Sequence, residues 1–349
     1  MPELRPAVPS PTPAPASRTA AFDPRPFRPA RGLRGAHAQT IAGRVLRRAA
    51  LPPLRRERIE LPDGDFVDLD AIAARDENAP LVLLLHGLEG SARRGYAIGA
   101  YRELARHGLR AVGMNFRSCS GEPNRGARFY HSGDTGDLRF VVGLLRARCP
   151  DVPLGAIGFS LGGNVLLKYL GETGAEAPFD AAVAVSVPYD LAAGADALDA
   201  SRIGRLYARL FLRSLIAKAD TKAALLADRC DLARVRAARS LREFDDAATA
   251  PLHGFANAAD YYARSSSRGF LERIRIPTLL LHAADDPFLP AAAFPAREIA
   301  ANPYLRALLT ERGGHVGFIE GSVWAPRFWA EQHAAGFLAG LLAPPPAGV

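Results

Sequence analysis

The sequence predicts an α/β fold built on a doubly wound, mostly parallel sheet. Three observations predict it. Short continuous apolar runs recur along the chain, helix-length segments separate most of them, and glycine, proline or charge bounds each run. A parallel strand covered on both faces reads as such a run because neither face meets water. The runs are 81–85, 111–114, 155–157, 181–185 and 278–281, with another at 305–309. The intervening helical stretches are 92–107, 135–148 and 162–171.

Upstream of the first run, residues 55–61 and 66–72 alternate apolar and polar side chains around Pro62-Asp63-Gly64. That alternation with strong turn chemistry predicts a half-exposed antiparallel hairpin. Residues 31–48 are rich in glycine and arginine and then turn weakly helical. Residues 1–29 alternate proline with alanine, serine and arginine. They hold too little apolar surface to offset ordering entropy, which predicts a disordered tail ahead of a single body at 30–349. Between about 190 and 270 the strand–helix alternation stops. The text there is helical and charged, clearest at 203–217 and 222–239. An insertion between two sheet strands, above their carboxyl ends, would form a cap over a site. The last helix is expected at 324–342, ended by Pro344-Pro345-Pro346.

The chain has 349 residues, 48% of them apolar, enough for one large domain without staples. Its three cysteines, Cys119, Cys149 and Cys230, make no disulfide framework and suit a reducing compartment. The net charge of +8 is mostly arginine spread along the chain, with no nucleic-acid motif beside it. The N-terminus lacks the apolar core of a signal peptide, and no apolar run reaches the roughly 18 residues of a membrane span. The expectation is a cytoplasmic protein with no nucleic-acid partner, with peripheral membrane contact left open.

The strongest chemical signal is Gly158-Phe159-Ser160-Leu161-Gly162-Gly163, placed between an apolar strand and a helix. This is the context of a nucleophile elbow, and with it the fold narrows to the α/β-hydrolase fold. The serine sits on a sharp strand-to-helix turn, so the positions two residues either side must be small. A serine needs a base, and the base an orienting carboxylate. In this fold they follow in the order serine, acid, histidine. Asp285-Asp286-Pro287 follows the strand 278–281, and His315 lies in Gly313-Gly314-His315-Val316-Gly317. Of the two aspartates, Asp286 is the preferred acid and Asp285 the loop brace. His107 and His333 lie in predicted helices and fit packing or surface roles. The loop His86-Gly87-Leu88-Glu89-Gly90 follows the strand 81–85, and the backbone N–H groups of Leu88 and Leu161 are candidates for an oxyanion hole. No metal or organic cofactor is called for, since neither zinc spacing nor a dinucleotide-type glycine motif is present.

Several segments resemble one family, the YheT-like α/β-hydrolases, relatives of the animal abhydrolase-domain lipases. They are Gly35-Ala36-His37-Ala38-Gln39-Thr40; the stretch from Asn115 to Asn124; Tyr130-His131-Ser132-Gly133-Asp134; Phe244-Asp245-Asp246; Pro251-Leu252-His253-Gly254-Phe255; Asp260-Tyr261-Tyr262; and Ser160-Leu161-Gly162-Gly163-Asn164. The resemblance runs from about Phe27 to the last helix. It implies a carboxylic-ester hydrolase with a helical cap and a triad on Ser160, Asp286 and His315. One departure stands out: the family pattern has glycine after Arg117, and this chain has Ser118. Arg117 and Tyr130 read as loop ion-pair and hydrogen-bond residues. His37 and Gln39 read as ties between the N-terminal arm and the body, and His131 and His253 as cleft or cap residues. The expected activity is hydrolysis of short-chain or lipid acyl esters through an acyl-enzyme. Acyl transfer, thioester or amide cleavage by the same triad, and a non-catalytic binding role, are the alternatives.

Overall fold

The computed structural model describes residues 22–48, 50–73 and 76–343. After helix α1 (Ala36–Leu46), strands β1 (Leu54–Glu60) and β2 (Phe66–Ile72) form the hairpin around Asp63 and Gly64. The alternating core follows: β3 (Leu81–Leu85), α2 (Gly95–Arg106), β4 (Arg110–Asn115), α3 (Gly136–Arg148), β5 (Leu154–Phe159), α4 (Leu161–Thr173) and β6 (Ala181–Val185). A helical insertion separates β6 from β7 (Thr278–Ala283). Its principal helices are α5 (Leu191–Ala200), α6 (Arg202–Thr221) and α7 (Ala258–Ser265). Helix α8 (Ala296–Ala301), strand β8 (Leu305–Thr310), a two-stranded ribbon of β9 (Ile319–Gly321) and β10 (Pro326–Phe328), and helix α9 (Trp329–Leu342) complete the order.

The main sheet runs β1-β2-β4-β3-β5-β6-β7-β8. The hairpin joins it antiparallel, and every neighbouring pair from β4 onward is parallel. Strands β3, β5, β6 and β7 are buried at every residue, which is why their sequences are almost wholly apolar, with Thr278 and His282 of β7 the polar members. On one face Leu138 and Val142 of α3 and Val165, Leu166 and Leu170 of α4 pack on the sheet. On the other, Tyr101 and Leu104 of α2 pack with Trp329, Phe337 and Leu338 of α9.

The structure departs from the sequence expectations in four places. Strand β2 is not half-exposed: Asp68 and Asp70 are buried, because Arg58 holds the first in a fork and Arg56 and Arg93 hold the second. The expected helix at 222–239 is broken into Ala223–Leu226 and Leu232–Ala237, since the Asp231 side chain accepts from the N–H groups of Ala233 and Arg234 and starts a new helix. The last helix begins at Trp329 rather than 324, because 326–328 pair with 319–321. The body also starts earlier than residue 30. Phe22 packs edge-on to Phe337, Phe27 edge-on to Trp329, and Arg25 pairs with Glu320 at 2.7 Å. Aromatic anchoring of this kind is invisible in a proline-rich composition. The rest of the expected tail, and the prolines at 344–346, lie outside the described residues.

Candidate active site

Strand β5 delivers Ser160 at the centre of the carboxyl edge of the sheet. Its backbone sits at φ 51° and ψ −119°, a strained geometry for a residue with a side chain. The neighbouring glycines are required by contact. A Cβ on Gly158 would lie 2.6 Å from the Gly162 carbonyl oxygen, and one on Gly162 2.5 Å from the Leu85 carbonyl oxygen. Behind the turn, buried Asn164 donates to the carbonyls of Ser132 and Ser265 and accepts from the N–H of Ser267. It ties the elbow helix to both flanks of the cleft.

His315 Nε2 lies 2.9 Å from Ser160 Oγ, and its Nδ1 lies 2.8 Å from Asp286 Oδ2. With Nδ1 donating to the carboxylate, Nε2 turns its lone pair to the serine hydroxyl. The other Asp286 oxygen accepts from the N–H of Phe288, whose ring covers the imidazole at 4.4 Å between centroids. Asp285 does not reach the histidine: it accepts from the N–H of Gly314 and braces the loop. Sequence order alone left the two aspartates open; in the structure Asp286 is the one hydrogen-bonded to the imidazole.

The histidine loop is also held from a side the sequence reading did not connect to it. The N–H of His315 donates to Thr40 Oγ1 on α1, and the N–H of Val316 to Ser186 Oγ after β6. Added Cβ atoms on Gly314 and Gly317 would meet the Ala36 and Gly313 carbonyl oxygens at 2.4 Å. The N-terminal motif therefore works at the site. Thr40 positions the histidine backbone, and buried Gln39 bridges Leu33 and Ile319. His37 lies against Tyr207 of α6, with 3.3 Å between Nδ1 and the hydroxyl.

The loop after β3 packs its backbone on the serine, since a Cβ on Gly87 would lie 3.1 Å from Ser160 Cβ. Its amides sort cleanly. Gly87 N–H donates to the Tyr96 hydroxyl, Glu89 N–H to the Tyr130 hydroxyl and Gly90 N–H to the Gly87 carbonyl. The Leu88 N–H is left without a partner among the described residues. The Leu161 N–H opens α4, where intrahelical partners do not exist. His86 fixes the loop from below, accepting from Phe116 N–H through Nε2 and donating through Nδ1 to Gly87 O. Burial pushes its pKa down to about 3, so it stays neutral.

Glu89 itself sits at φ 52°. Its carboxylate accepts from Tyr130, from Ser214 and from Lys218, the last at 2.7 Å. The lysine also lies 3.3 Å from the buried thiol of Cys119. This buried cluster joins α6 to the candidate oxyanion loop. Arg117 answers the sequence expectation of a loop ion pair. Its guanidinium forks onto Asp137 and reaches Asp63 and Asp65, locking the hairpin turn to α3. Ser118, where the family pattern has glycine, sits at φ 60°. Its hydroxyl bonds the Asn124 side chain and accepts that residue's N–H, which offsets the left-handed backbone.

Above Ser160 opens a cavity of about 930 Å³, lined mainly by apolar groups. Leu191, Leu198, Tyr207 and Phe211 come from the insertion, and Phe288 and Leu289 from the acid loop. His131 and His253, 4.5 Å apart between ring centroids, also line it. Burial holds their pKa values at about 3 and about 2, so both are neutral.

Residues 80–322 match a family model described as alpha/beta hydrolase fold. The protein of Escherichia coli (strain K12) named "Putative esterase YheT" is 41% identical over 316 residues, covering 89% of this chain and 92% of its own. The chain belongs to the YheT-like α/β-hydrolases. "Phospholipase ABHD3" of Mus musculus is 33% identical, over 78% of this chain and 68% of its own. Among solved structures, the Pyrococcus furiosus esterase Pf2001 superposes with a TM-score of 0.54 at 18% identity, covering 83% of this chain and 94% of that one, a likeness of fold. In this YheT-like hydrolase the matched residues span both the sheet from β3 to β8 and the insertion.

Proposed function

We propose that this protein is a serine-dependent carboxylic-ester hydrolase acting on uncharged acyl esters. The hydrogen-bonded chain Ser160–His315–Asp286 on the floor of an apolar cavity carries the reading. Ser160 Oγ attacks the ester carbonyl as His315 Nε2 takes its proton. The developing oxyanion sits between the N–H groups of Leu88 and Leu161. His315 then protonates the leaving alkoxide, and water hydrolyses the acyl-enzyme by the same steps in reverse. Asp286 holds the tautomer and stabilises the imidazolium. The insertion acts as the cap that shields the acyl chain, and the esterase and lipase names of the relatives accord with this chemistry.

Fluorophosphonate labelling and p-nitrophenyl butyrate turnover, on wild type and Ser160→Ala, test the reading. Both signals are expected in wild type and absent in the variant, with turnover down by about 10⁴ or more. Folded wild-type protein that neither labels nor turns over would overturn it. Across acetyl, butyryl, octanoyl and lauroyl esters, the apolar lining predicts kcat/KM rising beyond acetyl.

A further inference from the structure

Eleven large apolar side chains stand exposed among the described residues, and five of them line the mouth of the one cavity over Ser160. They are Ile41 and Val45 on α1 and Ile203, Leu206 and Leu210 on α6. Leu206 and Leu210 are more than half exposed, at 56% and 55%. Scattered surface leucines need no explanation, but a collar of them around a cavity does.

The collar has a charged border. Helix α6 is divided lengthwise into four bands by its 3.6-residue repeat. Gly204, Ala208, Leu212 and Ala219 are buried in the body. Tyr207, Phe211, Ser214 and Lys218 face the cavity. Ile203, Leu206 and Leu210 form the exposed apolar band. Beyond it, Arg202, Arg205, Arg209 and Arg213 form an exposed arginine band. Helix α1 adds to the collar, with exposed Arg44 beside Ile41 and Val45, and exposed Arg48 just past its C-terminus. The acidic side chains that line the cavity, Glu89 and Asp245, are turned inward and hydrogen-bonded.

An apolar band beside an arginine band is the pattern of a helix lying at an anionic lipid surface, with apolar groups among the acyl chains and guanidinium groups at the headgroups. A second copy of this chain fits poorly, because a two-fold contact would bring arginine bands together. No helix among the described residues is long and apolar enough to cross a membrane, so the contact is peripheral. We propose that the α1–α6 collar docks on anionic lipid bilayers and presents the cavity mouth to the membrane. This rests on the ester-hydrolase reading only for its purpose; the docking itself is readable without turnover.

Sedimentation of the full chain with phosphatidylglycerol/phosphatidylcholine vesicles, and with phosphatidylcholine alone, tests it. Wild type is expected to bind the anionic vesicles and to lose binding as salt rises. Arg202→Gln/Arg209→Gln/Arg213→Gln should bind about a hundredfold more weakly. Its p-nitrophenyl butyrate turnover should be unchanged, since these side chains lie outside the cavity. Leu206→Ser/Leu210→Ser should lose more than about tenfold, and Leu309→Ser, exposed on β8 away from the collar, nothing. Thermal melts check folding; should the leucine variant unfold, the arginine variant decides alone. Wild type that ignores anionic vesicles at low salt overturns the proposal, as does equal binding by the arginine variant. So does a dimer, seen by size exclusion without vesicle binding, that Leu206→Ser/Leu210→Ser dissociates. Vesicle binding without ester turnover would sustain the docking and defeat the hydrolase reading; turnover without binding would do the reverse.

Discussion

The cavity has two walls, and they are built on different terms. The wall borne by the sheet is made of short loops at the carboxyl ends of strands. The six non-glycine residues at positive φ among the described residues, Glu89, Ser118, Ser160, Ser186, Val316 and Phe318, all lie in those loops. Each costs roughly 1–3 kcal/mol and persists only where surrounding contacts over-determine it. The wall borne by the insertion is helical, with a π turn at Asp245–Thr249, and its one left-handed position is a glycine, Gly254. One wall holds its atoms with strained, hydrogen-bonded loops; the other offers apolar surface. Variants on the first should therefore change rate, and variants on the second should change stability or substrate choice.

The largest expected effect separates the two aspartates within the strained wall. Asp286→Asn keeps the shape but no longer holds the imidazole tautomer, and kcat for p-nitrophenyl butyrate should fall by about 10³–10⁴. Asp285→Asn, which touches backbone amides of the histidine loop and not the imidazole, should lose no more than about tenfold. Equal losses would mean that the whole loop, and not one carboxylate, carries the effect.

A smaller effect tests a charged bridge between the walls. Lys218 reaches from α6 to Glu89, whose neighbour Leu88 supplies the candidate oxyanion amide. Lys218→Met should leave KM nearly unchanged and lower kcat about tenfold, roughly 1.4 kcal/mol of transition-state stabilisation. A rise in KM with kcat untouched would place the lysine on the substrate side instead. Lys218→Arg, which keeps the charge, should recover part of the loss.

How much of this was legible in the sequence follows the same division. The buried strands, the elbow glycines, and the order of Ser160, Asp286 and His315 were readable because each obeys a local rule of sterics or chain order. The contact between Thr40 and the His315 amide was not, because it joins residues 275 apart and depends on two glycines fitting under α1. The quoted motif around Gln39 held the signal without its target. Burial of β2 was missed for a related reason: alternating aspartates look solvent-facing until their arginine partners, Arg56, Arg58 and Arg93, are placed in space. The breaks in the insertion were masked by helix-forming composition that Asp231 interrupts through a cap. The collar on α6 was half legible. Its apolar content was plain, but which stripe faces the cavity and which faces out depends on how the helix is rolled.

The smallest effect concerns a titrating group in the insertion wall. Burial raises the Asp245 carboxyl from an ordinary value near 3.8 to about 6, although Thr249 and Tyr262 both donate hydrogen bonds to it. A carboxyl with a folded pKa above its unfolded one binds protons more tightly when native. Stability must then fall as pH rises from about 4 to about 6, and the full penalty stands above that window. Asp245→Asn keeps one acceptor oxygen, turns an N–H donor to the hydroxyl oxygen of the other partner, and cannot ionise. It should raise stability on the order of 1 kcal/mol at pH 7.5, with the gain vanishing near pH 4. Denaturant melts of both proteins at several pH values measure this directly. If the substitution instead reshapes the pH profile of kcat and leaves the melts unchanged, Asp245 is coupled to the reacting groups, and the separation of a rate-setting wall from a stability-setting wall fails at that residue.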